Sequence, residues 1–330
     1  MTTNTIQWIE ATQFVADAES ILIVAHVFPD GDAIGALLGL TTGLRERGKR
    51  VDAVVDGGVP GIFGFIPGVE TVLKTLGSDD WDLMISVDAS DEKRSGEAGI
   101  YGRKHCKTVI NLDHHPTNTL FGDILLVVPE AVSATEIIYD WLINHMAHPL
   151  SYEVAVPLLV GLVTDTLGFR TSNVTTRTLA IAQDLMKSGA SLTEITARTL
   201  DSNSYHVVRL WKEVLPSVEM DGPVIVASVT RNNLEKAGLS DLTDGGLVGF
   251  LAKVDEAMIA VVFKETANGK IELSFRSKPG FDVAGVAFDL NGGGHKQASG
   301  ATIDGPLEAA KARVMPMLHR ATREGALAIL

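Results

Sequence analysis

The segment AHVFPDGDAIGA contains three side chains that could bind a cation, His26, Asp30 and Asp32, and it directly follows an apolar run. A proline and a glycine within the segment keep its backbone out of a helix, so these side chains can converge instead of spreading around a cylinder. Aspartate is also a favoured N-cap residue, so Asp30 or Asp32 could serve only to cap the helix predicted to begin near residue 33. The pattern leaves both interpretations open.

Further acidic residues and a histidine pair follow apolar runs in the same way. Asp88 lies in MISVDASD, Asp113, His114 and His115 lie in NLDHHPTN, and Asp165 lies in GLVTDTLGF. A lone aspartate at such a point could simply cap a turn, and two adjacent histidines could be solvated surface residues. Adjacent residues of an extended chain point to opposite sides, however, so one imidazole can bind a metal while the other faces a substrate.

Together these segments are expected to bring at least four carboxylates and two imidazoles to one edge of a sheet. Carboxylates that converge in a cleft repel one another and are costly to bury unless a cation lies among them. Oxygen and imidazole ligands without a thiolate suit manganese, magnesium or iron better than a structural zinc. The ligands suffice for two ions bridged by a carboxylate, an arrangement that stabilises phosphoryl transition states.

The elements that must position these groups alternate between strands and helices over the first two-thirds of the chain. The predicted strands are residues 21–25, 51–55, 82–87 and 108–112. The predicted helices are residues 33–47, 133–145, 153–163 and 175–188. Short, nearly all-apolar strands separated by helices are typical of a parallel sheet covered on both faces, which binds ligands at the carboxyl ends of its strands.

A second domain is expected after a helical connecting segment. We predict a first domain over residues 1–190, a linker over 191–221 and a second domain over 222–330. In the second domain, the predicted strands are 224–229, 257–264 and 271–277, and the predicted helices are 231–237, 244–250 and 306–325. The predicted fold class is therefore α/β, with a parallel-sheet N-terminal domain and a smaller α/β C-terminal domain joined by a helical linker.

A glycine-rich motif, NGGGHKQASGATI, lies near the end of the second domain. Gly293 and Gly294 would let backbone N–H groups approach an anion closely, and His295 with Lys296 could add positive charge. Arg276, in the upstream strand SFRSK, would strengthen such an anion site. The alternatives are a flexible glycine turn and a solvated Arg276 on an edge strand.

Composition restricts the classes of partner. The 330 residues include 28 Lys and Arg against 41 Asp and Glu, a formal net charge of −13. This charge argues against a protein that binds long nucleic acid through its overall field, although a small anionic substrate remains compatible with it. Cys106 is the only cysteine, which excludes an internal disulfide. Every apolar run is too short to span a membrane and the N-terminus does not resemble a signal peptide, so we expect a cytoplasmic protein without a membrane partner.

The four acidic and histidine segments resemble, in order, the motifs of the DHH phosphoesterase superfamily, and GGGHKQASG after a strand containing FRS resembles the accompanying DHHA1 domain. The resemblance implies two divalent metal ions, usually manganese in this family, with magnesium as the alternative. One ion would be bound by His26, Asp30 and Asp88. The other would be bound by Asp32, Asp88, His114 and Asp165, with Asp88 bridging the two.

The same resemblance implies roles for the remaining residues. His115 would be a non-ligating histidine that protonates the leaving oxygen or stabilises charge, and Asp113 would orient a ligand imidazole. The terminal phosphate or nucleotide of the substrate would be bound by Arg276, Gly293, Gly294 and His295.

A chain of this length with only these two domains resembles the nanoRNase/pAp phosphatase group. The implied substrates are short oligoribonucleotides, dinucleotides such as pApA (the opened form of cyclic di-AMP) and 3′-phosphoadenosine 5′-phosphate (pAp), with no long duplex nucleic acid. The alternatives are an inorganic pyrophosphatase or polyphosphatase, a RecJ-like single-strand exonuclease and a non-catalytic nucleotide sensor. The sequence leaves a homodimer open.

Overall fold

The computed structural model describes residues 4–77, 79–240 and 242–329, and the chain divides into two compact units, Met1–Ser202 and Asn203–Leu330. The first unit contains a parallel sheet and the second a separate mixed sheet, which confirms the predicted α/β class. The predicted limits of the domains and of the linker stay predictions. No helix within the described ranges is both long enough and apolar enough to cross a membrane.

The first unit is built on five strands. They are β1 (Ser20–Ala25), β2 (Arg50–Val54), β3 (Trp81–Val87), β4 (Cys106–Asp113) and β5 (Ile124–Val127). The helices are α1 (Asn4–Asp17), α2 (Gly31–Glu46), α3 (Gly96–His105), α4 (Ala134–Tyr139), α5 (Tyr152–Asp165), α6 (Thr176–Lys187) and α7 (Leu192–Thr199). A π-helix, Asp140–His145, continues α4, and 3-10 turns cover Gly61–Phe63, Val69–Thr71 and Glu92–Ser95. The strands lie in the order β2-β1-β3-β4-β5, all parallel.

Strand β1 shows why the sheet forms. All six of its residues are buried; Ile21 and Ile23 belong to the large apolar core, whereas Leu22 and Val24 belong to a smaller cluster on the opposite face. A parallel strand that is covered on both faces must be apolar at every position, which is what SILIVA provides. Three of the candidate metal-site residues, His26, Asp88 and Asp113, accordingly lie at or directly after the ends of β1, β3 and β4.

Helices α2 and α5 pack with their backbones in direct contact. A Cβ atom on Gly35 of α2 would lie 2.4 Å from the carbonyl oxygen of Pro157. A Cβ on Gly161 of α5 would lie 2.5 Å from Oδ1 of Asp32 and 2.6 Å from Oγ1 of Thr135. These close approaches require glycine and fix the spacing of the two helices.

The second unit is built on a six-stranded sheet. Its strands are β6 (Glu219–Asp221), β7 (Val224–Val229), β8 (Ile259–Glu265), β9 (Lys270–Ser277), β10 (Gly293–His295) and β11 (Ala298–Asp304). Its helices are α8 (Tyr205–Val214), α9 (Arg231–Ala237), α10 (Leu247–Leu251), α11 (Ala284–Asp289) and α12 (Leu307–Ile329), with a 3-10 turn at Leu215–Ser217. The order is β10-β11-β9-β8-β7-β6, and only the β7–β8 pair is parallel.

Candidate metal centre

The acidic and histidine residues singled out in the first unit converge at the carboxyl ends of β1, β3 and β4. Ligand atoms lying within 4.8 Å of one another define one group of His26, Asp30 and Asp88, a second of Asp32, His114 and Asp165, and a third of Asp88, Asp113 and His115. The first two groups contain every residue of the two predicted ligand sets. Asp165 is the last residue of helix α5, whereas the other residues lie at the ends of strands or in the segments that directly follow them.

Backbone carbonyls orient the two histidines expected to bind metal. The Nδ1 atom of His26 lies 2.8 Å from the carbonyl oxygen of Val27, and Nδ1 of His114 lies 3.4 Å from that of Ala131. A carbonyl oxygen can only accept, so each Nδ1 carries the proton that it donates, which leaves Nε2 as the nitrogen that could bind a metal. Burial lowers the pKa of His26 and so favours this neutral form.

Those Nε2 atoms face carboxylates. Nε2 of His26 is 3.5 Å from Oδ2 of Asp88, and Nε2 of His114 is 3.6 Å from Oδ1 of Asp88 and 3.5 Å from Oδ2 of Asp165. Imidazole nitrogens and carboxylate oxygens at these distances are compatible when a proton or a metal cation lies between them. The donor set of imidazole nitrogens and carboxylate oxygens therefore fits a divalent metal ion.

Asp88 shows the need for a cation most directly. Its Oδ1 atom is buried and has no hydrogen-bond partner within the described part of the chain. Burial first, and then the charge of Asp32, raises the pKa of Asp88 well above 3.8; burial likewise raises the pKa of Asp165. Burying an unpaired carboxylate costs several kcal/mol, on the order of the desolvation penalty of an unpaired ion, and a bound divalent cation would remove that cost.

Asp32 is held by the beginning of helix α4. It accepts hydrogen bonds from the backbone N–H groups of Ala134 (2.6 Å) and Thr135 (3.1 Å) and from the Thr135 hydroxyl (2.8 Å). Burial still raises its pKa. Asp30 is the N-cap of α2, since its Oδ1 accepts from the N–H groups of Asp32 and Ala33, yet it also offers a ligand atom near His26 and Asp88. The cap and the metal interpretation are thus compatible for Asp30.

The carboxylate of Asp113 contacts His115. Its Oδ1 accepts from Nδ1 of His115 at 2.7 Å, and its Oδ2 accepts from Nδ2 of Asn118 at 2.6 Å. Burial alone would raise the pKa of Asp113, but these hydrogen bonds outweigh burial and lower it. Asp113 therefore orients the histidine expected to be non-ligating, whereas the sequence analysis expected it to orient a ligand imidazole.

Three further residues support the site and were not predicted. Asn118 lies within the motif NLDHHPTN and could have been noticed there. Nη2 of Arg94 lies 3.3 Å from Nδ1 of His26; because Nδ1 donates to Val27, this contact is electrostatic and not a hydrogen bond, and the charge of Arg94 contributes to the lowered pKa of that histidine. Thr135 is separated from Asp32 by 103 residues, and nothing in the sequence connects the two.

In the second unit, the glycine-rich motif forms a strand. Gly293 pairs with Gly300 and Gly294 pairs with Ser299, so the alternative of a flexible glycine turn is wrong. Gly294 has φ +131°, and a Cβ on it would lie 2.6 Å from the carbonyl oxygen of Ala298. Only glycine tolerates this backbone and this close approach.

Arg276 and His295 lie in one row across this sheet. His295 on β10 is paired with Ala298 on β11, which is paired with Arg276 on β9. Directly paired residues share a sheet face, so only the methyl group of Ala298 stands between the two positions. Burial lowers the pKa of Arg276, and the charge of Asp244 opposes this effect. The register supports a local cationic site.

Comparison with known proteins adds two family matches and several relatives. Residues 20–162 match the DHH family, N-terminal domain, and residues 221–318 match the DHHA1 domain. The chain is 33% identical over 310 residues to the bifunctional oligoribonuclease and PAP phosphatase NrnA of Thermus thermophilus, covering 93% of this chain and 92% of that protein. It is 29% identical over 289 residues to the protein of the same name from Bacillus subtilis, covering 86% and 90%. A solved structure of an exopolyphosphatase-related protein from Bacteroides fragilis superposes with a TM-score of 0.87 at 26% identity, covering 98% of each chain.

Proposed function

We propose a function from the premise that this chain belongs to the DHH family of phosphoesterases. With bound divalent metal ions, it hydrolyses short oligoribonucleotides, dinucleotides such as pApA, and pAp. The family resemblance found in the sequence is confirmed, and the chain is a phosphoesterase hydrolase. The observation that carries the proposal is the convergence of carboxylates and imidazoles around Asp88, whose buried Oδ1 has no hydrogen-bond partner among the described residues.

The residues of the first unit divide into metal ligands and groups that act on the substrate. The proposed ligands are His26, Asp30, Asp32, Asp88, His114 and Asp165, for manganese or magnesium. Bound divalent ions would stabilise the negative charge that develops on the phosphoryl oxygens. Nδ1 of His115 donates a hydrogen bond to Asp113, so the proton that the imidazolium form of His115 would pass to the leaving oxygen is the one on Nε2, and the neutral imidazole would stay bonded to Asp113.

The second unit supplies the proposed recognition of a substrate phosphate. Arg276 would pair with the phosphate, the absence of side chains at Gly293 and Gly294 would let it approach the backbone closely, and His295 would add a further donor. Recognition at a local cationic site is compatible with the net charge of −13, which disfavours long duplex nucleic acid. A homodimer and a cytoplasmic location stay predictions.

The experiment that tests the proposal compares substrates side by side. The protein with Mn²⁺ is incubated with a 5′-labelled dinucleotide, pAp, longer single-stranded RNA, pyrophosphate and polyphosphate, and each reaction is repeated with EDTA. We expect EDTA-sensitive hydrolysis of the dinucleotide and pAp that is much faster than hydrolysis of the other three. Preferred hydrolysis of pyrophosphate or polyphosphate would support the pyrophosphatase alternative, and nucleotide binding without hydrolysis would support a sensor.

A further inference from the structure

Phe28 is an exposed aromatic residue inside the loop that carries the metal-site ligands. Its side chain is 93% exposed, and its backbone has φ +55°. A left-handed backbone is unfavourable for a residue with a bulky side chain, and exposure of a phenyl ring to water is also unfavourable. Two unfavourable features at one residue of a candidate active site require an explanation.

The neighbours of Phe28 hold it in this conformation. The N–H of Val27 donates to the carbonyl oxygen of Arg94 at 2.8 Å, and the carbonyl oxygen of Val27 accepts from Nδ1 of His26 at 2.8 Å. On the other side, Asp30 caps helix α2. Phe28 is thus two residues from a proposed ligand on each side, within about 7 Å along the chain.

Strained backbone is concentrated around this site. Among the described residues, seven other than glycine have positive φ, and five of them lie in the segments that carry or directly follow the site. These five are Phe28, Asp88, Leu120, Leu167 and Phe169. Leu120 and Leu167 are also large, apolar and exposed, at 55% and 52%. Such strain clusters at functional sites, where the surrounding structure imposes it.

We propose that Phe28 determines substrate specificity by stacking on the nucleobase of the nucleotide whose phosphate is hydrolysed. The inference rests on the proposed function. The nucleobase is the flat, weakly polar part of such a substrate, and it is attached to a phosphate that would bind at the neighbouring metal site. Every base has a face that can stack on an aromatic ring, so Phe28 favours nucleotides over base-free phosphates without selecting a particular base.

Three variants test the role of the ring. Phe28→Gly removes the ring and also suits the positive φ, so we expect it to fold and to melt at the wild-type temperature or above. Phe28→Trp retains an aromatic face. Tyr152→Ala is the matched control, because it removes a half-exposed aromatic ring from the opposite end of helix α5, about 20 Å from Asp165.

The measurement is the equilibrium affinity for AMP and for ribose 5-phosphate, which differ only in the base, in the presence of Mn²⁺. We expect the preference for AMP over ribose 5-phosphate to fall about tenfold in Phe28→Gly, in line with the contribution of one stacked base. The wild-type preference should remain in Tyr152→Ala and return in Phe28→Trp. KM for pAp should rise in Phe28→Gly by more than kcat falls.

An unchanged preference for AMP in Phe28→Gly, or an equal loss of affinity for both ligands, would overturn the assignment and leave Phe28 as an ordinary exposed apolar residue. This binding measurement does not depend on turnover. Absence of hydrolysis by the wild-type protein would therefore refute the proposed function, while the affinities would still decide whether Phe28 stacks on a base.

Discussion

Oδ1 of Asp113 accepts a 2.7 Å hydrogen bond from Nδ1 of His115, only two residues along the chain. Asn118 donates to the other oxygen of the same carboxylate. Asp113 itself is completely buried, whereas the side chain of His115 is 17% exposed. A buried, ionised carboxylate thus fixes the tautomer and the orientation of an imidazole that solvent and substrate can reach.

Removing either partner of this pair is expected to slow turnover without removing metal. His115→Ala should lower kcat by about 100-fold or more, because general acid catalysis contributes that much. Asp113→Asn should lower kcat by about 10- to 100-fold, because the imidazole loses its orientation. Steady-state kinetics and elemental analysis of the same samples test both statements. Near-normal turnover in His115→Ala would contradict the proposed role.

Asp88→Asn should weaken metal binding and stabilise the metal-free protein against unfolding. Asparagine tolerates the φ of +56° at this position and removes a buried charge whose Oδ1 has no partner. The metal-free variant should therefore be more stable to unfolding than the metal-free wild type, by about 1–3 kcal/mol. Mn²⁺ should raise the melting temperature of the wild type much more than that of the variant. Two Mn²⁺ ions per chain in the variant, measured by elemental analysis, would refute the bridging role.

The stability difference between these two proteins should depend on pH in the presence of EDTA. Burial and the charge of Asp32 raise the pKa of Asp88 in the folded state well above 3.8. Below pH 3.8 Asp88 is protonated in the folded state, so no charge is buried there. As the pH rises through the raised pKa, ionisation of Asp88 lowers the free energy of unfolding. The advantage of Asp88→Asn should accordingly be small near pH 4 and grow towards pH 8. A thermal-melting series that shows a constant or shrinking difference would contradict this prediction.

Gly161→Ala should impair the metal site without altering any ligand. The added Cβ would lie 2.5 Å from Oδ1 of Asp32 and 2.6 Å from Oγ1 of Thr135, so Asp32 would have to move from its hydrogen bonds at the beginning of α4. We expect at least a tenfold loss of activity and weaker Mn²⁺ binding. Gly249→Ala is the control, because a Cβ there would meet no described atom within 4 Å other than its chain neighbours and its own helix backbone. Equal Mn²⁺ affinities in the two variants would show that the close contact at Gly161 is not needed.

The sequence predicted four of the five strands of the first unit, because they contain buried apolar runs, but it did not predict β5 (Ile124–Val127). It missed α3, whose segment GEAGIYGRKH has a low helix propensity because it contains three glycines. The structure explains all three: Gly96 has φ +69°, a Cβ on Gly102 would lie 2.6 Å from Leu22, and a Cβ on Gly99 would lie 2.2 Å from Ser95. Close packing against the sheet therefore outweighs propensity here.

The candidate site was predictable to the extent that its ligands directly follow apolar runs. The groups that form hydrogen bonds to these side chains and hold them in place were not predictable in the same way. The backbone N–H groups that hold Asp32 belong to a helix more than 100 residues later. Every residue except proline has such a group, so the residue types do not show which ones will donate to Asp32. The contact between Asp113 and His115 is local, but sequence alone could not decide which imidazole the carboxylate would hold.

The direct contact between the backbones of α2 and α5 determines which substitutions would move the proposed metal ligands. Asp32 lies at the beginning of α2 and Asp165 at the end of α5, so the distance between two proposed ligands is set by main-chain atoms near Gly35 and Gly161. Exchanges of neighbouring apolar side chains can be absorbed by rotamer changes, whereas a shift of one helix against the other moves a ligand. Exchanges among the apolar core residues of this unit are therefore expected to disturb the proposed metal ligands less than substitutions at these two glycines.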